Sequence, residues 1–188
     1  MSPAAIIRLV LLVLLAGVIV ALVIAALPAL FRALRGSVWY ARGLRAYRRE
    51  DYDRARQAWE RAVAIVPWYA SAHYNLGVLH AKHGRTEEAV AAYEHAIEHN
   101  PNLAKAHFNL GNACMALEEY RKAAAAYQAA TETSRGHVRS HLSLGLLYQE
   151  VLLDDRKALH HLTEYVRLGG TDLRVLANIH DLQQKVKA

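Results

Sequence analysis

A period of 34 residues runs through most of this chain, and no other feature limits its fold so tightly. Gly43, Gly77, Gly111 and Gly145 lie 34 residues apart in the aligned segments YARG, YNLG, FNLG and LSLG. The second half of each unit keeps the same step, with Ala55, Ala89 and Ala123, then Trp59, Tyr93 and Tyr127, then Ala62, Ala96 and Ala130, then Pro67 and Pro101. A repeat of this length is one supersecondary element that cannot bury its apolar face alone, so its neighbours must stack on it. Apolar residues recur at helical intervals and predict helices at about 37–49, 52–65, 71–83, 86–99, 105–117, 120–133, 139–150 and 155–168. Pro67 and Pro101 end second helices because proline has no N–H to continue the ladder.

Trp, Leu, Gly, Tyr, Ala, an aromatic, Ala and Pro in this order make the chain resemble the tetratricopeptide repeat over about residues 36–170. The resemblance implies an all-α fold, a right-handed α-solenoid of four helical hairpins (36–69, 70–103, 104–137 and 138–170, together 35–170). A capping helix in 171–188 follows, and one transmembrane helix in 1–34 precedes. Gly43 is expected to face Ala55, and Trp59, Tyr93 and Tyr127 to fill the space between units. Thr86 is the expected N-cap of its helix, with Glu87 and Glu88 in the first turn. Thr171 or Asp172 should cap the last helix, whose apolar stripe reads Leu173, Leu176, Ile179, Leu182 and Val186. Three departures from the pattern stand out: Arg42 replaces the repeat Leu, Arg135 stands where Pro is expected, and one extra residue enters the fourth unit near residues 151–155.

Residues 9–31 contain no charged side chain. That length suits a membrane-spanning helix, which needs about 20 apolar residues, better than the shorter apolar core of a signal peptide. Arg8 at the edge of the span can snorkel to the interface. Six Arg follow the span by residue 49 (Arg32, Arg35, Arg42, Arg45, Arg48 and Arg49), whereas only Arg8 precedes it. Basic residues beside a span stay cytoplasmic, so the expected topology is N-terminus out and repeats in the cytoplasm. The Arg- and Ala-rich composition points to a GC-rich bacterium, hence to an inner membrane. Residues 32–61 hold nine Arg against four carboxylates, while 62–188 hold 13 basic and 13 acidic residues. The positive charge is therefore juxtamembrane, which favours anionic lipid headgroups on Arg32, Arg35, Arg42 and Arg45 over a nucleic-acid partner.

The family resemblance places the first helix of each unit on the inner side of the stack. The implied partner-binding groove comprises Tyr40, Leu44, Tyr47 and Arg48, then Tyr74, Val78 and Lys82, then Lys105, Phe108, Asn112 and Met115, then Leu142, Leu146 and Gln149. Aromatic and aliphatic anchors with basic points suit an extended peptide or an amphipathic helix. Members that hold a chaperone's acidic C-terminus use a Lys/Asn carboxylate clamp. Here Asn75 and Lys105 match that clamp, but Tyr40 and Leu44 stand where Lys and Asn are required, so it is incomplete.

Eleven His are present, and His73, His107 and His141 share one repeat position. They are expected to pack as the aromatic Trp39 does in the first unit. Two His pairs, His80 with His83 and His95 with His99, share helical faces, but no further ligand stands near enough to complete a metal site. The single Cys114 excludes an intramolecular disulfide and multi-Cys zinc sites. No glycine-rich phosphate loop, GxSxG elbow or HExxH helix occurs. The expectation is a noncatalytic scaffold without cofactor, metal or small-molecule substrate, binding proteins as a subunit or assembly factor of an inner-membrane complex. The layout is similar to that of bacterial envelope regulators pairing an N-terminal anchor with cytoplasmic repeats. Two other roles fit the pattern: an adaptor recruiting a soluble enzyme or protease, and a peptide-binding chaperone on the extracytoplasmic side.

Overall fold

The computed structural model describes residues 2–134 and 138–187, and every regular element among them is a helix. Arg135, at the position of the missing Pro, lies outside the described residues. The chain divides into two compact units at Pro67/Trp68.

The first unit is a hairpin of α1 (Pro3–Arg48) and α2 (Tyr52–Ile65). The apolar run and the first repeat helix form one continuous helix, so the expected boundary at 34/35 falls within α1. Pro28 lies inside it and offers no N–H to the carbonyl of Ile24, yet the helix continues. From Leu11 to Leu34 the large apolar side chains are exposed, Leu22 by 65%. This one helix is long and apolar enough to cross a membrane. Asp51 caps α2 by accepting from the Arg54 N–H at 3.1 Å. Ala55, Ala58, Trp59 and Ala62 form its buried face.

The second unit is three further hairpins and a final helix: α3 (Ala70–Lys82), α4 (Thr86–His99), α5 (Ala104–Ala116), α6 (Tyr120–Thr133), α7 (Val138–Glu150), α8 (Asp155–Arg167) and α9 (Leu173–Lys187). Each helix packs on the next, and the first helices α3 and α5 also touch. This is the stacked solenoid that the period requires.

The repeat glycine brings the two helices of a hairpin together. A Cβ on Gly77 would lie 2.6 Å from Tyr93, on Gly111 2.5 Å from Tyr127, and on Gly145 2.5 Å from Leu162, while one on Gly43 would strike the Trp59 indole. The aromatic therefore meets the glycine of its own hairpin, where the sequence suggested Ala55 opposite Gly43. Tyr127 also reaches forward to Leu144 and Leu147 of the next hairpin, and Tyr93 to Ala113, so these rings join units as well.

The turns between paired helices repeat too. Glu50, Gly84, Glu118 and Leu153 all have positive φ (61°, 71°, 59° and 54°). The following N–H returns to the preceding helix, Arg85 to the His80 carbonyl and Glu119 to that of Cys114. Leu153 stands one residue beyond the repeat position, which locates the extra residue of the fourth unit in this turn.

Two local expectations change. Thr86 is the first residue of α4 rather than its cap, and Arg85 at the cap makes no side-chain cap bond. In α9, Asp172 accepts from the Arg174 N–H at 2.9 Å. The buried residues are Val175 and Leu182, whereas Leu173 is 79% and Leu176 44% exposed. The stripe is therefore rotated toward Val175, because α9 lies on Ala158 and Leu162 of α8.

Candidate partner-binding surfaces

The residues of the expected groove are largely half-buried, and many support their own hairpins. In the first unit, Tyr47 lies 5.8 Å from Trp59 and 5.6 Å from Tyr52 between ring centroids. The Tyr40 carbonyl accepts from Trp59 Nε1 at 3.3 Å. Leu44 is half-buried and Arg48 exposed.

In the second unit, Tyr74 and Val78 pack on the Ala89, Tyr93 and Ala113 cluster. Tyr74 Oη accepts from Asn109 Nδ2 at 3.3 Å, linking α3 to α5. Phe108 lies 5.7 Å from the Tyr127 ring. Tyr127 Oη donates to Asn112 Oδ1 at 2.7 Å, and burial pushes the Tyr127 pKa up to about 12. Met115 packs on the same core. Lys82 and Lys105 are exposed. Leu142 and Leu146 pack on the Ala158, Leu162, Val175 and Leu182 cluster, and Gln149 Oε1 accepts from Asn178 Nδ2 of α9 at 3.1 Å. The structure thus brings Tyr74, Asn109 and Phe108 onto neighbouring first helices, while α9 engages the residues from α7.

The histidines divide by environment. His107 Nε2 meets the Pro101 carbonyl at 2.9 Å. His73 lies 5.3 Å from His95 and 5.8 Å from His99 between ring centroids. His80 Nδ1 accepts from Arg85 Nε at 3.1 Å, and His83 Nδ1 meets the Leu79 carbonyl at 2.8 Å. His141 is buried against His161. Among the described residues, no three His, Cys, Asp or Glu side chains converge as a metal-binding group.

Sequence reasoning missed two surfaces. One is an apolar groove of about 440 Å³ with Glu94, Ile97 and Glu98 of α4 on one wall, His107, Leu110 and Cys114 of α5 at its floor, and Lys122, Ala125, Ala126 and Ala129 of α6 opposite. The other lies in the first unit, where clefts of about 210 and 280 Å³ adjoin. Trp39, Arg42, Arg54 and Arg61 line the first, and Arg42, Arg45, Arg49 and Arg54 the second. The guanidinium carbons of Arg42 and Arg61 each lie 4.5 Å from the Trp39 ring centroid. The Arg run was visible in the sequence, but α2's contribution of Arg54 and Arg61 to the same face was not. Arg32 and Arg35 lie farther back on α1, both exposed.

Residues 40–104, 79–138 and 108–149 each match the tetratricopeptide repeat family. The chain belongs to that family. No curated protein matches it. Among solved structures it is similar to MamA, at 19% identity and a TM-score of 0.71 over 80% of this chain and 81% of that one. It is also similar to YrrB, described as a TPR protein with an unusual peptide-binding site, at 22% identity and a TM-score of 0.64 over 76% and 73%. PilF of Pseudomonas aeruginosa is a third such structure, at 21% identity and a TM-score of 0.66 over 83% and 71%. These likenesses establish a shared fold.

Proposed function

We propose that this protein is a noncatalytic, membrane-anchored scaffold that binds other proteins as a subunit or assembly factor of an inner-membrane complex, with its repeats in the cytoplasm. The observation that carries this reading is the continuity of α1, whose apolar stretch runs without a linker into the first repeat hairpin. Gly36 of the same helix packs against Val66, so removing the apolar segment as a leader near residue 36 would cut into packed structure. Confinement to one membrane raises the effective concentration of two partners and makes a weak contact sufficient. The half-buried aromatics of α3 and α5, with exposed Lys82 and Lys105 beside them, suit an apolar segment carrying acidic flanks. YrrB's peptide-binding site lends this class of partner support by likeness of fold. Arg32 and Arg35, just beyond the apolar run, are placed to meet anionic headgroups.

The test is affinity purification of the full chain in mild detergent beside a chain beginning at Arg32, with mass spectrometry of what copurifies. Stoichiometric membrane proteins retained only by the full chain are the expected result. Soluble partners retained equally by both would make it an adaptor. A C-terminal reporter found outside the cytoplasm would overturn the topology and favour the chaperone role.

A further inference from the structure

The basic cleft of the first hairpin has a counterpart in the third, reached by adding 68 to each residue number. Trp39, Arg42 and Ala46 of α1 correspond to His107, Leu110 and Cys114 of α5. Arg54, Gln57, Ala58 and Arg61 of α2 correspond to Lys122, Ala125, Ala126 and Ala129 of α6. All seven positions that line the cleft also line the groove. In the third hairpin this face receives the preceding second helix, α4, which contributes Glu94, Ile97 and Glu98. Lys122 there is raised in pKa chiefly by its bond to Glu119, and Glu94 across the groove adds to the effect.

The first hairpin exposes the same face with altered chemistry. Leu110 becomes Arg42, Ala129 becomes Arg61, and Lys122 becomes Arg54. The ion pairs among the described residues give Asp51 to Arg54 and do not include Arg42, Arg45, Arg49 or Arg61. The cation–π contacts of Arg42 and Arg61 with Trp39 use no N–H donor of either guanidinium in a hydrogen bond, which suits the pair to carboxylates. Half-buried Ala46 and buried Ala58 are the small side chains of the cleft lining, leaving room for an aliphatic side chain.

We infer that this face docks an amphipathic helix from a partner protein, seated as α4 is on the third hairpin, with an aliphatic residue over Ala58 and glutamates three residues before and one residue after it, as Glu94 and Glu98 flank Ile97, meeting Arg42, Arg54 and Arg61. This deepens the scaffold reading by naming one partner chemistry. Charge complementarity favours it, since five arginines at the cleft face one carboxylate, Asp51. Arginines paired this way set recognition and association rate more than raw affinity, so binding weakens as salt rises.

The test uses the full chain in neutral maltoside micelles and, as probe, a labelled helical peptide carrying Glu-x-x-Ile-Glu, the arrangement of Glu94, Ile97 and Glu98. A twin peptide has Gln in place of both Glu. Saturable binding of the Glu peptide, at least about tenfold tighter than the twin, is expected. Arg42→Glu with Arg61→Glu should weaken it by at least about tenfold, while Arg56→Glu, paired with Glu60 away from the face, should leave it within about twofold. Helix content by circular dichroism checks the variants, with Arg42→Gln and Arg61→Gln as milder substitutes. Absent binding, equal binding of the twin, or an equal loss in Arg56→Glu would overturn the inference. So would displacement of the peptide by soluble short-chain phosphatidylglycerol where phosphatidylcholine has no effect, for the face would then serve lipid. Any of these results leaves the scaffold reading to its own copurification test.

Discussion

His141 of α7 and His161 of α8 bring their Nδ1 atoms to 3.3 Å inside the fourth hairpin. The residues are 7% and 6% exposed, so one ring must donate to the other, which requires that Nδ1 not be protonated on both. Tyr148 stacks on His161 at 5.9 Å and 9°, and exposed His160 lies edge-on at 4.9 Å. Burial first, then His160 and His141, push the His161 pKa down to about 4, with Lys157 adding and Glu164 opposing.

Acid should therefore loosen this hairpin. Unfolded His161 takes up its proton near its ordinary pKa of 6.5 and folded His161 only near about 4. The folded state binds fewer protons between these values, so stability present above pH 6.5 is lost as pH falls through the window. By about pH 5 the loss should approach 2 kcal/mol. Thermal melts at about pH 7.5 and 5 should show this drop, and His141→Phe with His161→Phe should reduce it. A double variant as acid-sensitive as the parent would refute the assignment.

Gly77→Ala tests the contact between paired helices. The added Cβ would lie 2.6 Å from Tyr93 Cε1, and Tyr93 is itself held by Tyr74, Ala89 and Ala113. Overpacking of this kind costs about 1–3 kcal/mol. Urea unfolding should show that loss, and Tyr93→Leu should couple to it, the double variant losing at least about 1 kcal/mol less than the sum of the singles. Simple additivity would mean that the helices separate to admit the methyl group.

Cys114 should report opening of the third hairpin. Its side chain is 2% exposed, and burial, followed by Glu119, raises its pKa, so little thiolate is available for reaction. Ellman's reagent should modify the native chain at least about tenfold more slowly than the chain in concentrated urea. Comparable rates would show that the groove between α4 and α6 admits reagent to the sulfur.

The fold was legible because glycine, alanine and aromatic positions recur at one interval, and each answers to a contact that every hairpin must make. Helix ends followed from Pro67 and Pro101 and, at α9, from Asp172, whereas the capping of α2 by Asp51 emerged only from the structure. Three features escaped for physical reasons. The boundary expected at 34/35 lies inside α1, because the helix runs from the apolar stretch, through Pro28 at the loss of one hydrogen bond, into the first repeat helix. Val175 replaced Leu173 and Leu176 because α9 takes its register from α8, a tertiary contact invisible to local periodicity. Arg42 read as a departure from the repeat, and only the fold places Arg54 and Arg61 opposite it. The groove residues show the same limit: Tyr74 and Phe108 were legible as first-helix aromatics, while their packing on Tyr93 and Tyr127 was not. Truncating either would lower stability.

Leu153→Gly should stabilise the protein, an outcome that the repeat makes specific. Leu153 has φ of 54° and is 78% exposed, so its side chain contributes little packing while its backbone sits in the left-handed region. That conformation costs a residue with a Cβ about 1–2 kcal/mol. Glycine removes this cost but increases the freedom of the unfolded chain, which returns about 0.5–1 kcal/mol. The net expectation is a gain of about 0.5–1 kcal/mol, read as a higher urea midpoint. The reverse change at the equivalent turn, Gly84→Ala at φ of 71°, should lower the midpoint although a Cβ there meets nothing within 4 Å. If Leu153→Gly destabilised while Gly84→Ala did as expected, the fourth turn would owe its shape to the apolar side chain rather than to the repeat backbone.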